Sequence, residues 1–170
     1  MARTIVMDVR PLRPDEGLIY RNLRLRALSD APDAFGQTLG EAESRSDEEW
    51  IQRAGEIAAC PEREVLLIAQ DGRIPCGTVY LRLESGITEL YAMWVDPAFR
   101  RRHVGSALLE AAITWARDRQ ASQIGLWVTE GNEAAANLYR RAGFASTGQE
   151  DVLRPGSALR IQKMVHQLGI

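Results

Sequence analysis

The residues best suited to chemistry are concentrated in one stretch, "FRRRHVGSALL", residues 99–109. Arg100, Arg101, Arg102 and His103 run directly into an apolar pattern of helical spacing, with Gly105 inside it. A helix N-terminus already presents unsatisfied N–H groups and a partial positive charge. Guanidinium groups stacked there concentrate positive potential at one point. Arginine also brings forked donors that match phosphate oxygens, and Gly105 lets a ligand approach the backbone closely. The chemistry this pattern suits is the holding of a diphosphate or a similar compact anion. Taken alone, an arginine run favours the plain reading, a solvated basic turn or a stray nucleic-acid patch, so its setting in the chain has to decide.

Two phosphate-binding signatures are absent: Gly-x-x-x-x-Gly-Lys-Ser/Thr and Gly-x-Gly-x-x-Gly. The 170 residues suit a single domain spanning 1–170, large enough to bury a core. Charged residues make up 26% and apolar residues 45%, ordinary for a globular chain. The net charge of -2 counts against a protein built to coat nucleic acid, so the basic stretch is a local feature. No apolar run is long enough to span a bilayer, and "MARTIVMDVR" lacks the apolar core of a secretory signal. Cys60 and Cys76 have no metal-ligand spacing and read as free thiols of a cytoplasmic protein.

The elements that must position the basic stretch follow from periodicity. "TIVMDVRPL" reads as an opening strand, followed by a helix from Pro14–Asp15 to about Leu28. Pro32, Gly36 and Gly40 mark 29–40 as loop, and a second helix runs from about Ser46 to Ala59. "EVLLIAQ" is a short buried strand, and Asp71-Gly72 signals a hairpin. In "GTVYLRLE", Val79, Leu81 and Leu83 alternate with Thr78, Tyr80, Arg82 and Glu84, as in a half-exposed antiparallel strand. "ITELYAMWV" is apolar on both faces from Leu90 to Val95, which predicts a central strand covered on both sides. A helix then runs from about Val104 to Asp118, "QIGLWV" forms a strand, and a helix from Asn132 to Ala142 ends at Gly143. Two strands around "RPGS" close the chain. Strand, helix and strand in the middle make a right-handed crossover that sets its two strands parallel. The fold class is therefore α/β: a mixed, mostly antiparallel sheet with a central parallel βαβ pair and helices on both faces. Ligands in such sheets sit beyond the carboxyl ends of the parallel strands, and "RRRHVG" falls there. That context favours the anion-binding reading.

"WVDPAFRRRHVGSALLEAA" resembles the cofactor-binding motif of the GNAT superfamily of N-acetyltransferases, Arg/Gln-x-x-Gly-x-Gly/Ala at a strand–helix junction. Arg100 stands at its first position and Gly105 at its last, while His103 replaces the usual first glycine. "NEAAANLYRRAGF" resembles the family's Asn…Tyr…Gly-Phe segment, and the N-terminal half also has the family's look. The resemblance implies acetyl-CoA as acyl-donor cosubstrate and transfer of its acetyl group to a primary amine, without a covalent enzyme intermediate or a metal. It further implies that the pantetheine arm pairs with the backbone of Met93, Trp94 and Val95. The pyrophosphate would rest on the amides of Arg101, Arg102, His103, Val104, Gly105 and Ser106, and Arg100, at the first motif position, would also bind the cofactor. Asn132, placed to cap its helix, would touch the cofactor as well.

Direct transfer leaves three tasks: taking a proton from the ammonium, stabilising an oxyanion and protonating the departing thiolate. By the resemblance Tyr139, two turns after Asn132 and protonated at neutral pH, is the candidate acid; its plain reading is a core aromatic. Glu89, a lone acid entering an apolar strand, is the candidate base or the orderer of a water that acts as base. The plain alternative is a solvated carboxylate near Gly86 paired with an arginine. His103 and His166 are weaker rivals. Eight acids against two arginines between Ser29 and Glu56 either form a negative rim favouring a cationic amine or are ordinary helix-start acids. The acceptor is a small molecule or a peptide amine. A non-catalytic CoA-binding sensor is the alternative from another class, and neither nucleic acid nor membrane is an expected partner. The sequence leaves the oligomeric state open, a homodimer included.

Overall fold

The computed structural model describes residues 7–169. Seven strands form one sheet: β1 (Met7–Pro11), β2 (Glu64–Asp71), β3 (Ile74–Glu84), β4 (Ile87–Val95), β5 (Gln123–Thr129), β6 (Ala145–Val152) and β7 (Arg160–Gln167). Their spatial order is β1-β2-β3-β4-β5-β7-β6. All neighbours are antiparallel except β4 and β5. The helices are α1 (Gly17–Asp30), α2 (Leu39–Glu43), α3 (Asp47–Ala59), α4 (Val104–Asp118) and α5 (Glu133–Arg141).

Alternation along β2 shows why the sheet is sandwiched. Leu66 and Ile68 join Leu23, Leu28 and Trp50 in a core under α1 and α3. Val65, Leu67 and Ala69 face the other way and pack with Leu108, Leu109 and Ala112 of α4. A strand buried on both faces needs a continuous apolar run, and "VLLIA" supplies it. Two capping boxes, Thr38 with Glu41 and Ser46 with Glu49, start α2 and α3.

The structure corrects the sequence expectations in three places. Residues 29–40 are not plain loop, since a 3₁₀ turn spans Pro32–Ala34 and α2 begins at Leu39. β3 is not half-exposed over its polar side: Thr78 is buried and Tyr80 packs against the α1–α3 core. β4 is not covered on both faces, for Tyr91 is exposed. The physical reason lies in a bulge. Thr78 pairs with Trp94 but Tyr80 with Tyr91, so β4 carries one extra residue there, and Ala92 has φ +54. A bulge reverses side-chain parity, so Trp94 and Tyr91, three apart, share one face. Thr4 to Val6 of the expected first strand lie outside the described residues.

Candidate active site

The parallel pairing of β4 and β5 is short. Ile87, Thr88 and Glu89 pair with Gln123, Ile124 and Gly125, and beyond that point the strands separate. Lys163 of β7 donates to both Glu89 carboxylate oxygens, at 2.5 and 2.6 Å, where the gap opens. Gly125 makes room for this pair, since a Cβ there would lie 2.9 Å from both Glu89 Oε1 and Lys163 Nζ. The Asp96 N–H donates to the Cys76 carbonyl. By strand alternation the polar backbone groups of Asp96 and Trp94 therefore face β3, while those of Val95 and Met93 face the gap. Trp94, grouped with them in the sequence reading, instead turns its backbone toward β3. Its side chain is buried, donating from Nε1 to Asp30 at 2.9 Å.

The gap leads to the N-terminus of α4, which differs from those of α2, α3 and α5. Those three accept a side-chain cap, Asn132 Oδ1 accepting from the Ala135 N–H in α5, whereas α4 has none. His103 occupies the N-cap position with φ +61, and Arg101 also has φ +61. This left-handed geometry favours glycine, which gives a physical reason for the glycine that the family motif has at the His103 position. The helix's hydrogen bonding begins with the Ala107 N–H on the His103 carbonyl. The N–H groups of Val104, Gly105 and Ser106 thus have no partner within the helix. Gly105 lies against the gap: a Cβ there would sit 3.1 Å from Leu138 and 3.8 Å from both Met93 and Val95.

Two cavities meet at α5, where Ala135 lines both. The larger, about 1020 Å³, runs between α4 and α5 from Val95 past Arg101, His103, Gly105 and Ser106 to Arg117, Arg141 and His166. Arg117 and Arg141, not singled out from the sequence, join Arg100 and Arg101 here, with Glu110 the one acid in the lining. The signal for Arg117 was available, since it lies three residues after Thr114 and four after Ile113, on the helix face that lines the cleft. Arg102 does not line it; its guanidinium stacks 5.5 Å from the Phe99 ring centre. Arg100 lines it but is already engaged, by Nε with the Val95 carbonyl at 3.1 Å and by an ion pair with Asp30. Burial alone would raise the Asp30 carboxyl, but hydrogen bonds from Trp94 and Arg100 hold it below its ordinary value. A second ion pair, Arg26 with Asp96, completes the attachment of α1 to the β4–α4 loop.

The smaller cavity, about 370 Å³, lies on the α1 side and is lined by Met93, Asn132 and Tyr139, with Arg24, Phe35, Trp127 and Leu153 among others. Tyr139 is buried, stacks on Phe144 at 5.9 Å, and its hydroxyl makes no hydrogen bond among the described residues. Burial pushes its phenol up to about 12, so it is protonated throughout the physiological range. Glu89, the expected base, lines neither cavity, and its ion pair occupies both oxygens. His166 lines the larger cavity and packs on Phe144. The acids of 29–56 do not form a rim on the smaller cavity. Glu41 and Glu49 cap helices, Asp47 pairs with Arg21, Glu56 with Arg53 and Asp30 with Arg100, and none lines it. Among the described residues no group of three or more His, Cys, Asp or Glu side chains is arranged to hold a metal, and no helix is long and apolar enough to cross a membrane.

The acetyltransferase (GNAT) family model matches residues 26–144. Mycothiol acetyltransferase of Clavibacter michiganensis subsp. michiganensis is 35% identical over 124 residues, which are 72% of this chain and 37% of that protein. The chain thus spans well under half the length of that relative. A GNAT-family acetyltransferase from Streptococcus pneumoniae shares the fold with a TM-score of 0.79 and 21% identity, over 96% of this chain and 99% of that one. The yncA structure from Salmonella typhimurium, solved with its cofactor acetyl-CoA, matches with a TM-score of 0.78 and 18% identity, over 96% and 95% of the two chains. At these identities the two structures speak to fold alone.

Proposed function

The chain belongs to the acetyltransferase (GNAT) family, and on that premise we propose that it transfers an acetyl group from acetyl-CoA to a primary amine by direct attack within a ternary complex. The observation that carries this reading is the uncapped, arginine-flanked N-terminus of α4 at the mouth of the β4–β5 gap. The residues present suit the cosubstrate. Free N–H groups at Val104 to Ser106 answer a pyrophosphate, and Gly105 keeps open a space that a side chain would fill. Val95 and Met93 offer backbone groups to an amide-bearing arm, and Arg101, Arg117 and Arg141 supply further positive charge along the cleft.

Acetyl-CoA supplies an activated acetyl thioester when bound. The gap-facing N–H of Met93 or Val95 is the donor for the acetyl carbonyl oxygen, where charge develops. The acceptor nitrogen forms the new C–N bond as the C–S bond breaks. Tyr139 gives its hydroxyl proton, or a strong hydrogen bond, to the departing sulfur. The proton lost by the attacking nitrogen leaves through water in the smaller cavity. Glu89, tied to Lys163, acts as a positioning residue where the strands part. Asn132 sets the start of α5 and so the place of Tyr139.

Calorimetric titration with acetyl-CoA tests the binding half of the proposal. At about 100 times Kd, a ligand specific for the folded state adds roughly 2.7 kcal/mol, which raises the melting temperature by about 5–10 °C in a chain of this size. A flat titration with an unmoved melting curve would remove the reading.

A further inference from the structure

The smaller cavity has one charged residue in its lining, Arg24, set among mainly apolar neighbours that include Phe35, Leu90, Trp127 and Ile161. Arg24 projects from α1, its Nε donating to Gln37 Oε1 at 2.9 Å and its guanidinium 4.8 Å from the Phe35 ring centre. Its Nη1 is sealed from solvent and has no hydrogen-bond partner. No carboxylate pairs with Arg24 among the described residues, and no acid lines the cavity. Burial, with Arg45 nearby as a second cation, lowers its pKa from the ordinary arginine value. A desolvated guanidinium whose donors are mostly unused is unfavourable on its own, and a carboxylate in the cavity, meeting the part of the guanidinium that lines it, offsets that cost.

The wall beside it is held firmly. Arg154 donates to the carbonyls of Pro32, Phe35 and Gly36 at 2.9, 3.0 and 3.3 Å, and Thr129 Oγ1 donates to the Asp33 carbonyl at 2.7 Å. The loop from Pro32 to Gln37 is thereby fixed over the cavity, and Gln37 in turn orients Arg24. A volume of about 370 Å³ lies at the small end of ligand sites.

We propose that Arg24 is the counter-ion for a carboxylate on the acceptor, which is a compact amine with an apolar body, in chemical class an α-amino acid with an apolar side chain. The inference rests on the acetyl-transfer reading and narrows it. It reverses the cationic-acceptor reading of the acids of 29–56, because none of those acids lines the cavity and the cavity itself carries only positive charge. A diamine would bring a second cation into a space that holds no acid.

The test measures acetylation of L-leucine and L-phenylalanine beside leucinamide, phenylalaninamide and 1,4-diaminobutane, with wild type, Arg24→Gln and Arg24→Lys. Acetyl-CoA affinity is measured separately by calorimetry. The wild type should favour each acid over its amide by about 10-fold or more in kcat/KM. Arg24→Gln should abolish that preference through KM, leaving amide turnover and acetyl-CoA affinity within about threefold, and Arg24→Lys should restore part of it. A wild type that prefers the amides or the diamine overturns the proposal, as does an Arg24→Gln that slows acid and amide alike. Should Arg24→Gln fail to fold, the wild-type comparison and Arg24→Lys decide. Should no amine be acetylated, the acetyl-transfer reading fails by itself. Calorimetry with N-acetyl-L-leucine against its amide then decides the subsite, and a carboxylate preference sensitive to Arg24→Lys is required.

Discussion

Tyr139→Phe separates catalysis from packing more cleanly than any other change in this site. The ring stays against Phe144, and the hydroxyl that is lost has no hydrogen-bond partner among the described residues. The fold should therefore change by less than about 1 kcal/mol, or about 2–4 °C in melting temperature. The chemical effect is bounded from the phenol itself. Burial pushes it up to about 12, well above a thiol's ordinary value of about 8.5, so a full proton transfer to an exposed thiolate would be uphill. The same burial also raises the sulfur's proton affinity, and the hydrogen bond strengthens as charge develops there. We expect the low end of general-acid effects, about 10–100-fold in the chemical step, equivalent to about 1.4–2.7 kcal/mol. The assay is a single turnover with acetyl-CoA pre-bound, which reads the chemical step free of product release. Alkaline stability gives a second readout. A phenol raised in the folded state lends stability that is complete below about pH 10 and lost as pH rises toward the folded value of about 12. Tyr80 is also raised to about 12, by burial and by its hydrogen bond to Glu64, so the variant should lose only part of this alkaline decline. A wild-type single-turnover rate, or a large loss of stability in the variant, would refute the reasoning.

Gly105→Ala should weaken acetyl-CoA binding by about 10-fold, because its Cβ would meet Leu138 at 3.1 Å beside the gap. Stability should change by no more than about 1 kcal/mol, as helix propensity and the tight Leu138 contact oppose each other, and calorimetry and thermal melts will report both effects together. His103→Gly relieves a left-handed residue at φ +61 and should stabilise the fold by up to about 1 kcal/mol, with acetyl-CoA affinity within about threefold in the same titration. Glu89→Gln breaks a partly buried ion pair with Lys163 and should cost about 1–3 kcal/mol in denaturant melts. Its turnover should then be lowered equally at every pH. A deficit that closes as pH rises and supplies free amine would return Glu89 to the role of base.

Most of the sheet was legible because its signals are local. The run "VLLIA", Asp71-Gly72 and the apolar face of α4 each state their element within a few residues. β4 was misread because a bulge leaves no mark in "YAMWV", which is apolar whether its parity is regular or reversed at Ala92. Arg100 to Ser106 could be placed at a helix start from sequence, since helix starts and basic runs are local. The commitments of those side chains could not. Arg100 is held by Asp30, 70 residues earlier, and Glu89 by Lys163, 74 residues later. The acids of 29–56 admit a rim reading because composition counts charges without their positions, and none of them lines the smaller cavity. Arg24 carries no distinguishing signal in the sequence, because one arginine among several on α1 looks like solvated surface until Phe35 and Gln37 close around it.

The most direct test of the central claim is thiol release from acetyl-CoA in the presence of an amine, followed by mass spectrometry of the amine product. The account requires free CoA and N-acetylated amine to appear in equal amounts, with rates that saturate in both substrates. Tight acetyl-CoA binding with no thiol released across amino acids, their amides and diamines would contradict it and leave a CoA-binding module in place of an enzyme.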